Sequence, residues 1–143
     1  MIDAQNQKYV MMVVNTSVTA AATVTGTVDT LGYNHLQVFV TGDTASSAMT
    51  TLKLSEGTDT NAATDIAVFT SGDTDVGFTM AAADTDNGVS TILDVDLTPR
   101  ERWIKVTITP AVTQVLNATG TLSRAEDSPV SAAEVGVDVY QLG

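Results

Sequence analysis

Hydrophobic and polar residues alternate with a period of two along four segments of the chain. In segments 34–41, 51–55, 92–97 and 102–109, every second residue is Leu, Val or Ile. A β-strand turns successive side chains to opposite faces of its sheet, so this period is typical of strands with one buried face. A weaker form of the pattern occurs in segments 9–14, 22–28, 65–70, 76–80, 115–122 and 135–140. The pattern predicts an all-β chain with little helix.

Turn residues separate the predicted strands. Asp-Thr pairs recur along the chain, usually with a glycine nearby, at Asp29, Asp43, Asp59, Asp73 and Asp84. Short Asp and Thr side chains bond to nearby backbone groups and favour turns. Turns at this spacing are typical of the short strands of a sandwich or a barrel.

The chain length fits one domain, because domains are commonly about 100–150 residues long. We predict a β-sandwich core over residues 15–123. Residues 1–14 form an N-terminal arm or the first strand. Pro129 and its polar neighbours favour a linker, so residues 124–143 are interpreted as a linker followed by a C-terminal β segment.

One hairpin can be predicted in more detail. Pro99 lies between two strongly alternating segments, and a four-residue loop over 98–101 would place Leu97 opposite Arg102. This register would place Asp94 opposite Lys105. If the two strands pair directly, we expect a cross-strand ion pair of roughly 0.2–1 kcal/mol.

Composition and charge exclude several classes of function. The chain has 143 residues, with 17 acidic against 6 basic side chains, a formal net charge of −11 and no cysteine. Disulfide frameworks and thiolate metal sites are therefore excluded. A strongly acidic chain is a poor ligand for nucleic acid. The longest aliphatic run, 10–14, is far shorter than the roughly 20 residues that cross a membrane, and we expect no membrane partner.

The sequence has few candidates for catalysis or metal binding. His35 is the single histidine, and no Gly-x-Ser-x-Gly motif accompanies it. Residues 84–88 resemble the start of a calcium loop, but Val95 stands where that loop needs a glutamate. We therefore expect no catalytic residue, no cofactor and no metal, and no enzymatic activity.

The basic residues are unevenly distributed. Three of the six, Arg100, Arg102 and Lys105, lie close to the single tryptophan, Trp103. Alternation places Trp103 and Lys105 on the strand face opposite the aliphatic residues. Trp and Arg are enriched at binding hot spots, which makes these four residues candidates for an interface. Internal packing of both strand faces is the alternative interpretation.

Five short motifs resemble small proteins encoded beside the major capsid gene of tailed bacteriophages. Residues 31–38 are similar to an LGY-x-x-L-x-V opening, and 52–56 to an LKLQES strand. Residues 78–85 are similar to FTIPAADT, and residues 95–106 resemble a DLRGRKRYLKV stretch. Residues 123–129 complete the set, so the likeness covers roughly residues 25–130.

This resemblance implies a capsid decoration, or cement, protein. The expected fold is then an antiparallel, jelly-roll-like β-sandwich of about eight strands. Its partner would be the major capsid protein, and copies of the chain would associate, often as a trimer. The expected location is the outer capsid surface of the virion, after synthesis in the host cytoplasm.

Two other classes of function remain open on the sequence. One is another virion β domain, associated with the tail, the neck or a fibre. The other is a carbohydrate-binding β-sandwich, which would need exposed aromatic side chains in a row or a calcium site.

Overall fold

The chain forms two packed β-sheets. The computed structural model describes residues 7–43, 49–73, 75–80, 89–124 and 139–143. Within these residues the strands are β1 (Lys8–Val18), β2 (Val24–Asp29), β3 (His35–Gly42), β4 (Met49–Gly57), β5 (Thr64–Thr70), β6 (Val89–Asp96), β7 (Trp103–Pro110), β8 (Gln114–Ser123) and β9 (Val139–Leu142).

The order of the strands is that of a jelly roll. One sheet has five strands in the order β1-β8-β3-β6-β9, and the other has four in the order β2-β7-β4-β5. The first eight strands form nested antiparallel pairs, β1 with β8, β2 with β7, β3 with β6 and β4 with β5. The predicted all-β, antiparallel, jelly-roll-like sandwich is confirmed. Strand β9 adds a parallel neighbour to β6.

The core lies between the two sheets and follows the alternation seen in the sequence. Along β7, the inward residues Ile104, Val106 and Ile108 are fully buried, while the residues between them are partly exposed. Gly26 of β2 allows the sheets to close at one side, because a Cβ there would lie 2.2 Å from the carbonyl oxygen of Met12 in β1. A side chain at this position would force the two backbones apart.

The predicted hairpin between residues 92–97 and 102–109 is wrong. Strand β6 pairs with β3 and β9, whereas β7 pairs with β2 and β4 in the other sheet. The connection changes sheets: the Leu97 amide donates to the Asn34 carbonyl, and the Arg102 carbonyl accepts from the Thr30 amide. Asp94 and Lys105 therefore do not face each other. The prediction failed because alternation shows which face of a strand is buried but not which sheet contains the strand.

The ends of the predicted elements differ from the structure in a few places. The weak candidate 76–80 is not a strand, since its pairing is limited to one isolated bridge between Ser71 and Phe78. Strand β1 continues across the predicted boundary between residues 14 and 15, and contributes Met12 and Val13 to the core. The calcium-like residues 84–88 and most of the predicted linker, 125–138, lie outside the described residues.

Candidate functional site

The residues selected as an interface lie at one end of the four-stranded sheet. Trp103 and Lys105 are on β7 with their side chains on the outer face, both partly exposed. In the register of the sheet, Trp103 lies between Asp29 of β2 and Gly57 of β4. The small glycine leaves the indole without a facing side chain on β4. Arg102 and Arg100 precede β7 in the loop from the other sheet.

Arg102 forms the most directional contact in this region. Its Nε and Nη2 donate to the two carboxylate oxygens of Asp29 at 2.8 and 2.7 Å, and its guanidinium lies 5.5 Å from the centre of the Trp103 ring. A bidentate pair of this kind is directional as well as charged. The Arg102 hydrogen bond, helped by the Leu31 amide, lowers the pKa of Asp29 to about 2.

The other two cations are also engaged within the chain. Lys105 Nζ donates to the backbone carbonyl of Asn61 at 2.6 Å. Arg100 Nη1 lies 3.6 Å from Glu56 Oε1, and the second oxygen of Glu56 accepts from the Glu101 amide at 2.9 Å. The structure thus brings the four candidates to one end of one sheet. Each of the three cations among them contacts a partner that is distant in sequence.

A shallow cleft lies beside these residues. Its volume is about 260 Å³, and its acidic lining comes from Glu56, Asp59 and Glu101, with Gly57 and Ala63 among the uncharged residues. Glu56 faces Arg100, so one of the three carboxylates is already paired. Among the described residues, no group of three or more His, Asp or Glu side chains is placed to hold a metal ion.

His35 belongs to a polar network on the five-stranded sheet. It is the first residue of β3 and is buried, and its Nε2 contacts Asp94 Oδ1 on β6. Its Nδ1 lies 3.0 Å from Ser123 Oγ on β8. Gln37 Nε2 donates to the other oxygen of Asp94 at 3.2 Å. The network therefore connects three neighbouring strands at one end of the sheet.

The chemistry of this network differs from that of a serine hydrolase. In the hydrolase arrangement the serine bonds to Nε2 of the histidine and the carboxylate to Nδ1, whereas here Ser123 is on Nδ1 and Asp94 on Nε2. A neutral ring satisfies both neighbours, since Nε2–H donates to Asp94 and Nδ1 accepts from Ser123. We interpret the network as structural. Sequence reasoning missed it because Asp94 is 59 residues away from His35.

A second candidate surface is apolar and lies on the outer side of the five-stranded sheet. The described residues include six exposed large hydrophobic side chains, and four of these are on two strands of this sheet. We call these four the apolar face: Tyr9, Met11 and Val14 of β1, and Phe39 of β3. The sequence indicates part of this face, because Phe39 alternates with the buried residues Val38 and Val40 and so points outward.

No protein-family model matches the chain, and a search of the curated proteins finds no match. The residues that the structure describes contain no helix with the length and apolar character needed to span a membrane.

Proposed function

We propose that this protein is a structural component of a virion that binds the outside of an assembled bacteriophage capsid and stabilises it. It bridges neighbouring subunits of the major capsid protein, and copies of the chain associate with one another, as a trimer in the simplest arrangement. It acts by binding, without turnover of a substrate. It is made in the host cytoplasm and ends on the outer capsid surface.

The observation that carries this proposal is the order of the strands. The resemblance of residues 25–130 to capsid decoration proteins implied a jelly-roll sandwich, and the described strands have that order. The two sheets also present two broad outer faces of different chemistry, which suits a protein that touches more than one neighbour. The net charge of −11 keeps free copies dispersed in solution.

The physical mechanism is linkage. A ligand that binds the assembled shell more tightly than its separated subunits shifts the equilibrium toward the shell. Several modest contacts made together by one bridging molecule bind far more tightly than any one of them, provided that the geometry lets them engage together. We assign the shell contact to the residues around Trp103, because a half-buried tryptophan beside arginine is typical of binding hot spots.

The test compares particles with and without this protein under a heat challenge. Both preparations should assemble, and the particles that lack it should release their genome at a lower temperature. Equal release temperatures would contradict the proposal.

Variants locate the contact. Trp103→Ala should weaken attachment to particles more than it lowers the melting temperature of the free protein, because its ring is only partly buried. Lys105→Ala should weaken attachment as well. Lys53→Ala is the matched control, since Lys53 lies on the same sheet and its ammonium is likewise held within the chain, by Asp65 at 2.8 Å. A large fall in melting temperature with intact attachment would assign Trp103 to the core instead.

Two alternatives have distinct outcomes. A tail, neck or fibre-associated protein would be present on purified particles at low copy number and away from the shell. A carbohydrate-binding module would bind a glycan array in a manner that depends on Trp103. The aromatic side chains give this second alternative little support, because Tyr9 and Phe39 are on one sheet and Trp103 is on the other.

A further inference from the structure

Strand β9 is bound along one edge of the sandwich. It pairs in parallel with β6, so that Val139 lies opposite Thr91. The Gly143 amide donates to the Asp94 carbonyl at 2.9 Å, and the Gly143 carbonyl accepts from the Asp96 amide at 2.8 Å. Because β9 is the last strand of its sheet, it has a hydrogen-bonded neighbour on one side only. Such an edge strand opens at a lower free energy than a strand inside the sheet.

The other sheet closes the space that β9 occupies. Val68 and Phe69 lie on β5, the edge strand of the four-stranded sheet, and Phe69 is fully buried. A Cβ at Gly143 would lie 2.8 Å from Cγ1 of Val68 and 3.0 Å from Cζ of Phe69. Val68 is β-branched and stiff, and Phe69 is enclosed by the core, so neither moves away at low cost. We call the space between β6 and these two residues the edge groove; it fits a strand with glycine at this position.

The chain that leads to β9 is longer than its path requires. Strand β8 ends at Ser123 in the row of His35, and β9 begins at Val139 in the row of Val40. These two points are about 22 Å apart at the usual strand spacing and rise. The residues that join them can span about 50 Å when extended. A chain of this length can place β9 in its own edge groove or in that of a neighbouring copy.

We propose that β9 is exchanged between copies of this chain, each copy filling the edge groove of the next, so that three copies close a ring. Every contact of β9 is kept in the exchange. Little free energy therefore separates the two arrangements, and the effective concentration of copies decides between them. Residues 139–143 carry no charged side chain, so the exchanged strand brings no carboxylate side chain into the groove of an acidic neighbour.

The exchange also has the symmetry that a trimer needs. Each copy gives one strand and receives another, which is a head-to-tail contact, and such contacts form a ring when the rotation closes. The inference rests on the proposed function for the trimer and names the contact that holds it together. It makes no claim about the contact with the shell.

A pair of cysteines reports which copy supplies the strand, because the chain has no cysteine of its own. In the double variant Thr91→Cys with Val139→Cys, the two thiols lie opposite each other on β6 and β9. The variant is oxidised mildly at near-millimolar concentration and analysed on a denaturing gel without reductant. Exchange should give covalent trimers, whereas a strand that stays in its own groove gives an internal disulfide and a monomer band.

Chains with a single cysteine provide a matched control. A Thr91→Cys chain and a Val139→Cys chain, unfolded and refolded together, should form mixed disulfides, since neither chain can close a bond within itself. A Thr107→Cys chain refolded with the Val139→Cys chain should stay unlinked. Thr107 lies on β7 in the other sheet, between β2 and β4, and so does not line the edge groove.

Sedimentation velocity measures the role of Gly143. The wild type should shift from monomer to trimer between low micromolar and near-millimolar concentration. Gly143→Leu should raise the concentration needed for the trimer by about tenfold or more, because its side chain must be forced against Val68 and Phe69. Ala67→Leu is the matched control, since it adds similar bulk at an exposed position of β5 and should leave the trimer intact.

Any of four results would overturn the inference. They are a wild type that stays monomeric, a double-cysteine variant without covalent trimers, equal linkage in the two mixtures of chains, and equal effects of Gly143→Leu and Ala67→Leu. Binding of the oxidised double variant to purified particles is measured separately. An internally linked monomer that still binds particles would overturn the exchange and leave the shell contact standing, whereas covalent trimers that fail to bind would overturn the shell contact alone.

Discussion

The outer faces of the two sheets differ in how their side chains are satisfied. On the four-stranded sheet, Arg102 and Lys53 are held by carboxylates of neighbouring strands, and Thr23 and Thr109 share a hydrogen bond of 2.9 Å. On the five-stranded sheet, Tyr9 and Met11 are 70% and 54% exposed and lie opposite Thr121 and Thr119 of β8. The four-stranded face pairs its charged groups within the chain, whereas the five-stranded face has a buried polar network around His35 and Asp94 and also leaves apolar side chains exposed to water.

Charge does not by itself identify the surface that is free to bind a partner. The basic residues around Trp103 attract attention in the sequence, yet each of their cations has a partner in the same chain. Exposed apolar side chains, in contrast, gain about 25 cal/mol for each Å² of apolar surface that a partner covers. The two faces therefore suit different partners.

The largest expected effect concerns the buried polar network of the five-stranded sheet. Asp94→Ala removes the carboxylate from His35 and Gln37, and should lower the free energy of unfolding by about 3 kcal/mol, since both side chains lose a hydrogen-bond acceptor at a buried site. Asp65→Ala, which breaks the exposed pair with Lys53, should cost less than about 1 kcal/mol. Urea unfolding measures both.

Similar losses from these two variants would contradict the greater contribution of the buried network to stability. If Asp94→Ala does not fold, Asp94→Asn keeps the shape of the side chain and should still cost more than Asp65→Asn.

A smaller effect is expected from the apolar face itself. Phe39→Thr should change the free energy of unfolding by less than about 1 kcal/mol, because Phe39 is 41% exposed. Val38→Thr is the control on the same strand. It places a hydroxyl in the core and should cost about 2 kcal/mol. The Phe39 variant should also bind less of a hydrophobic dye. A larger loss from Phe39→Thr than from Val38→Thr would show that the exposed face supports the fold.

The smallest effect is a pH dependence on the four-stranded sheet. The hydrogen bond from Arg102 lowers the pKa of Asp29 to about 2 from 3.8. The folded protein therefore prefers the ionised carboxyl, and the stability gained is complete above about pH 4 and lost as the pH falls toward 2. The difference in unfolding free energy between wild type and Arg102→Ala should shrink over that window.

A neutral change on the same face separates this effect from general acid unfolding. Thr27→Ala removes no charge, so its difference from wild type should stay constant between pH 4 and pH 2. A difference for Arg102→Ala that also stays constant would contradict the role of the Asp29 pair.

The fold class could be predicted from the sequence because alternation is a local property. The strong segments around Leu36, Leu52, Leu93 and Ile104 became β3, β4, β6 and β7. Each strand shows its buried face in its own residues, so no knowledge of partners is needed. The same property misled the prediction of a β6–β7 hairpin, because alternation is equally compatible with a partner in either sheet.

The candidate residues around Trp103 could be selected from the sequence, but their environment could not. Asp29 and Arg102 are 73 residues apart, and Glu56 and Glu101 are 45 apart. No local pattern joins such residues. The apolar face has the same origin, since Met11 and Phe39 become neighbours only through β8.

Local patterns of residues are enough to establish that this chain forms β-strands, which side of each strong strand is buried, and that the molecule is acidic and free of cysteine. These properties follow from side-chain chemistry and from the two-residue period of a strand. The identity of the neighbouring strands, the contact of Asp94 with His35 instead of Lys105, and the gathering of apolar side chains on one face appear only in the folded structure. The physical reason is that strand pairing is a long-range choice, made by the packing of the whole core.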